Sequence, residues 1–114
     1  MTQPVDWNPR PQQISINLTR GGKFLREGEF RTRGGDLWVP PAGTTLVLSF
    51  GPADDPIETW SATIDGSKFV FARTVAQILT APSTIREGTA VRLLTTFPPE
   101  TEPDVRAVGR VFWT

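Results

Sequence analysis

Ile57-Glu58-Thr59-Trp60-Ser61-Ala62-Thr63-Ile64-Asp65-Gly66-Ser67-Lys68-Phe69-Val70-Phe71-Ala72-Arg73 is the stretch on which the fold turns. Apolar Trp60, Ala62 and Ile64 alternate with polar residues, the period of two that turns one strand face to a core and the other to water. Asp65-Gly66 is the strongest short hairpin signal in the chain, because its preference for positive φ matches a type I′ turn. The return strand, residues 67–73, puts Phe69 and Phe71 on one face and Val70 and Ala72 on the other.

Working outward, the same period recurs. Ile14, Ile16 and Leu18 alternate with Ser15, Asn17 and Thr19 as a first strand, ended by Gly21-Gly22. Residues 24–32 read as a second strand with Phe24 and Phe30 inward, an Arg-rich polar face, and a place for a bulge or twist at Gly28. After the Gly34-Gly35-Asp36 turn, Leu37-Trp38-Val39 leads into Pro40-Pro41-Ala42-Gly43, which must bend. Residues 44–50 are a third strand, dense in β-branched and apolar residues, and residues 57–64 a fourth. Past the hairpin, Val75, Ile78 and Leu79 take helical spacing behind the capping box Thr74-Val75-Ala76-Gln77, so one short helix is expected at about residues 74–80, before Pro82. Residues 89–97 form another strand with Val91, Leu93, Thr95 and Phe97 on one face. Val105, Ala107, Gly109, Val111 and Trp113 share a face of the closing strand. Roughly seven strands with turn signals every 8 to 12 residues suit a sandwich or a small barrel. The expectation is all-β: a single antiparallel β-sandwich with one short helix and an extended N-terminal arm.

Residues 1–12 hold three prolines and no apolar periodicity, so they read as the arm, with residues 13–114 as the sandwich domain. Trp7, between Pro4 and the pair Pro9 and Pro11, is the arm's one large apolar anchor. Because an exposed Trp leaves much apolar area in water, the arm either folds back onto the domain or reaches into a neighbour. The 114-residue length suffices for one core without disulfides or metal. Four Trp and seven Phe make that core aromatic.

The chemistry of the chain is bounded by what it lacks. It has no His, no Cys and no Tyr, which removes the imidazole and the thiol from any scheme near neutral pH. Asp54 with Asp55, and Glu100 with Glu102 and Asp104, lie in Pro-rich loops that offer no apolar pocket to raise a carboxyl pKa. The spacing of an EF-hand is missing, and neither Gly21-Gly22 nor Gly34-Gly35 fits a phosphate loop. No S-x-x-K motif occurs. The expectation is no catalytic residue, no cofactor and no metal site, hence not an enzyme. Zero net charge argues against nucleic-acid partners, and no run approaches the ~20 apolar residues of a membrane span. Met1-Thr2-Gln3-Pro4 does not open a secretory signal, so a cytoplasm-like site of synthesis is expected. Charge is nonetheless divided: six basic and two acidic residues from Arg10 to Arg33 (+4), then five acidic and no basic ones from Asp36 to Asp65 (−5). A dipolar surface of that kind can pair copies head to tail. Trp38, Trp60 and Trp113 invite a second reading, a stacking platform for sugar rings. Trp60 fits the core better, whereas Trp38 beside Pro40-Pro41 and near-terminal Trp113 suit either place.

Several segments in order carry a resemblance: Gly22-Lys23-Phe24, then Pro41-Ala42-Gly43-Thr44 leading into Leu46-Val47-Leu48-Ser49-Phe50-Gly51, then Thr59-Trp60-Ser61-Ala62-Thr63-Ile64-Asp65-Gly66. With the short helix and Gly109-Arg110-Val111, residues 14–113 resemble the small LtfC-like β-sandwich proteins of phages that infect actinobacteria. The resemblance implies a virion component made in the host cytoplasm, a minor tail or tail-tip protein with no catalytic residue to carry over. Capsid decoration, a head–tail connector, or a module binding host-surface glycan are the alternatives it leaves. Its expected partners are other virion proteins and copies of itself, through Trp7, Pro9, Pro11, Trp38 and Trp113 as candidate contact residues.

Overall fold

Alternate residues of each run turn inward to one core, where Ile16, Leu18, Leu46, Leu48, Phe50, Trp60, Phe71, Val91 and Val111 are all buried. The computed structural model describes residues 12–32, 34–80 and 85–114. In chain order its elements are β1 (Gln12–Leu18), β2 (Phe24–Glu29), β3 (Thr45–Phe50), β4 (Glu58–Ser61), β5 (Thr63–Asp65), β6 (Lys68–Arg73), α1 (Val75–Thr80), β7 (Ala90–Thr96) and β8 (Asp104–Trp113). They form an all-β sandwich of a five-stranded sheet, ordered β1-β8-β7-β3-β4, and a three-stranded sheet, ordered β2-β6-β5. The expected arm lies outside the described residues, apart from Gln12, which already belongs to β1.

Two features of the topology depart from the reading of the sequence. The expected fourth strand, residues 57–64, is two strands in two sheets: β4 pairs with β3, and β5 pairs with β6. The chain crosses between sheets at Ala62, whose N–H donates to the Leu46 carbonyl at 2.8 Å. Both sheets bury their inner faces against one core, so Trp60, Ala62 and Ile64 keep one alternation through the crossing and the sequence shows no break. The second departure is that β1 runs parallel to β8, Gln12 opposite Ala107 and Leu18 opposite Trp113, in an otherwise antiparallel sheet.

Smaller corrections have equally local causes. β2 ends at Glu29, after which Phe30 N–H donates to the Ser67 carbonyl and Trp38 N–H returns to the Phe30 carbonyl. Gly28 makes no bulge: β2 and β6 pair without interruption, and the Phe69 ring lies over Gly28 where a Cβ would collide with it. The bulge is on β8 instead, where Leu93 pairs with Ala107 but Leu94 with Val105. The extra residue, Arg106, moves Val105 to the outer face, so Val105 is exposed while Ala107 stays buried. In the β5–β6 hairpin Asp65 pairs with Lys68, and of the two loop residues only Gly66 has positive φ, the pattern of a type II′ rather than a type I′ turn.

The short helix forms as read. Thr74 N–H donates to Gln77 Oε1 at 2.8 Å and Gln77 N–H to Thr74 Oγ1 at 3.2 Å, the reciprocal capping box. Ile78 is buried, whereas Val75 and Leu79 are exposed, so α1 attaches to the core through Ile78.

Candidate functional site

Hydrogen bonding defines what the sandwich leaves open. Arg26 Nη1 donates to the Ser15 carbonyl at 3.1 Å, which ties β2 to β1 at one side of the molecule. Ala62 alone separates β4 from β5 and ties the sheets at the other side. The sandwich therefore has a β1/β2 side and a β4/β5 side, each with strand edges that no described strand covers. On β1, alternate residues bond to β8: the Leu18 carbonyl accepts from Thr114 N–H at 2.9 Å. Gln13, Ser15 and Asn17 thus turn their backbone groups away from β8, and the Ser15 carbonyl accepts from Arg26. On β4 the outward groups belong to Thr59 and Ser61.

The register also fixes which charged groups share an end. Ile14 pairs with Gly109, Gly109 with Val91, Val91 with Phe50 and Phe50 with Glu58, so one row crosses all five strands. Beyond that row, on the β1 side, lies the turn with Arg20 and Lys23; beyond it on the β4 side lies the loop with Asp54 and Asp55. All four residues are exposed. The acidic loop is held in place by Asp55 N–H on the Pro52 carbonyl at 3.3 Å and by Arg92 Nη2, 3.5 Å from the Ala53 carbonyl. Glu100, Glu102 and Asp104 are at the other end, beside the Thr95–Asp104 pairing. The carboxylates of the two acidic loops do not converge. Among the described residues no three Asp or Glu side chains are grouped to hold a metal ion.

The tryptophans separate into distinct roles. Trp60 is 2% exposed and packs on Phe50 and Phe24, with ring centroids 4.6 and 5.5 Å away. Its Nε1–H donates to Glu58 Oε1 at 3.0 Å, and the Arg73 guanidinium stands 4.9 Å above its ring. Trp38 is 9% exposed, its ring meeting Phe97 edge-on at 5.5 Å and Phe30 at 6.3 Å. Trp38, expected to suit either core or surface, is buried with the core. Trp113 is half-buried: its Nε1–H donates to the Ile85 carbonyl at 2.9 Å, its backbone N–H to Glu87 Oε1 at 2.7 Å, and Arg20 lies 5.6 Å from its ring. Trp38, Trp60 and Trp113 therefore do not assemble into an exposed platform. Trp7, Pro9 and Pro11 lie outside the described residues.

A surface feature that the sequence reading missed is a groove of about 430 Å³ on the outer face of the smaller sheet, lined by Leu25, Ala72 and Val75 with Lys23, Arg73 and Thr74. Leu25, 54% exposed, and Val75 were available as signals, but alternation cannot tell an outer apolar residue from an inner one.

Strand edges that no described strand covers, divided charge and an apolar outer groove mark the surface of this β-sandwich module. The model of the LtfC-like, beta-sandwich domain matches residues 10–114, and the chain belongs to that family. No curated protein matches it.

Proposed function

We propose that this chain is a non-enzymatic structural subunit of a phage particle, a minor tail or tail-tip protein that assembles in several copies through its N-terminal arm and sheet edges. The observation that carries the reading is the pair of strand edges that no described strand covers, in a member of the LtfC-like sandwich family. A strand with outward N–H and C=O groups is a template for another strand, and an assembling subunit uses it where a solitary protein must blunt it. β1 carries only Gln13, Ser15 and Asn17 at its outward backbone positions, with no Lys or Pro to deter pairing.

Deleting residues 1–11 and measuring the amount of the protein in purified particles tests the arm. Loss of incorporation with an unchanged far-UV circular dichroism spectrum is the expected result, and full incorporation of the shortened chain would sink the arm's part. Immunogold labelling of intact particles reads the location: label confined to the tail or its tip is expected, and label over the capsid would replace the tail reading by decoration.

A further inference from the structure

The fold places the two charged segments of the sequence at opposite edges of one sheet and at the same end of it. Arg20 and Lys23, with Arg26 below them, occupy the β1 side, and Asp54 and Asp55 occupy the β4 side. β1 is parallel to β8, and β8, β7, β3 and β4 follow in antiparallel steps, so β1 runs antiparallel to β4. A second copy moved across the sheet, on the order of 24 Å for five strand spacings, and turned by the sheet's accumulated twist, therefore sets its β1 antiparallel beside the first copy's β4. The same movement brings its basic turn to the end of the sheet that carries the acidic loop. Strand direction and charge agree on one arrangement, although they are independent features of the structure.

We propose that copies of this chain associate head to tail, β1 of one copy adding to β4 of the next, with Arg20 and Lys23 of the first against Asp54 and Asp55 of the second. In the register of the row that joins Ile14 to Glu58, the outward groups of Gln13 meet those of Thr59 and Asn17 comes beside the acidic loop, and the facing charges select this pairing over others. A two-fold contact of β1 with β1, or of β4 with β4, leaves the opposite charges unmatched. The contact is heterologous, so it repeats along a stack or closes into a ring. The proposal rests on the reading of the chain as an assembling subunit and names the partner and the two edges.

Sedimentation velocity on the full chain and two charge-reversed variants tests it. The full chain is expected to grow beyond a dimer with concentration, and its association to weaken by about tenfold between low salt and 0.5 M NaCl. Arg20→Glu with Lys23→Glu, and separately Asp54→Lys with Asp55→Lys, should each sediment as monomers. Mixed in equal amounts they should associate again, because each then meets an edge of opposite charge; that recovery also shows that both variants fold. A monomeric full chain at millimolar concentration, the result if residues 1–11 of the same chain occupy the β1 edge, would overturn the proposal. So would an unmixed Asp54→Lys, Asp55→Lys variant that associates as the parent does, or a mixture that stays monomeric. Incorporation into particles is read separately. A chain that enters particles without associating in solution defeats this contact alone, and one that associates but never enters particles defeats the virion reading alone.

Discussion

At the residue scale, close approach of backbone and rings decides more than residue type. Gly109 faces Ile14 across the parallel pair, and a Cβ on Gly109 would collide with the Ile14 carbonyl oxygen. Backbone cannot give way as a flexible side-chain tip can, so Gly109→Ala should cost more than about 2 kcal/mol, seen as a lower urea midpoint. Gly28 poses a softer version, because its obstacle is the Phe69 ring. The Gly28→Ala loss should be partly recovered in a Gly28→Ala, Phe69→Leu double variant, and strict additivity in the double-mutant cycle would refute that coupling. In the sequence both glycines look like ordinary interruptions of a strand. Trp60 stands opposite them in kind: its strand position and size marked it as core, and it is buried among Phe24, Phe50 and Arg73. Trp60→Ala should cost roughly 3–5 kcal/mol. Trp113→Ala, at a half-buried ring held by Arg20 and the Ile85 carbonyl, should cost less in the same assay.

At the scale of elements, α1 depends on two attachments. Its capping box satisfies amides that a six-residue helix cannot satisfy internally, and Ile78 is buried in the core. Thr74→Ala should cost about 1 kcal/mol, with faster amide exchange at Gln77, whereas Ile78→Ala should cost roughly 2–5 kcal/mol. A larger loss for the cap than for the core residue, by chemical denaturation, would contradict this division. The helix was legible because a capping box is a local signal, complete within four residues. The β4–β5 break was not, since the crossing at Ala62 leaves the inward period unaltered. The bulge at Arg106 was hidden for a related reason: Val105 and Ala107 are two apart and look equivalent until pairing with Leu94 and Leu93 separates them.

At the scale of the whole molecule, the closing contact spans most of the described chain. β1 completes the larger sheet by pairing with β8, and the Thr19 and Thr114 hydroxyls meet at 3.2 Å across a separation of 95 residues. Loop closure of that length precedes any gain from β1, so folding should take milliseconds to seconds, as in other all-β sandwiches. Stopped-flow Trp fluorescence checks this, and a main phase well under a millisecond would refute it. The same pairing sets the surface: because β1 ends at one edge and β4 at the other, charges that are merely consecutive in sequence face opposite ways.

The sequence by itself determined the all-β class, the positions of most strands, the capped helix, the aromatic core around Trp60 and the division of charge, because each is written in local period, turn chemistry or composition. Only the tertiary structure decided that β1 runs parallel to β8, that one alternating run serves two sheets, that Trp38 is buried, and that Arg20 with Lys23 and Asp54 with Asp55 share one end of a sheet. Those outcomes depend on which strands become neighbours. Alternation records that a residue faces inward, and carries no record of what it faces.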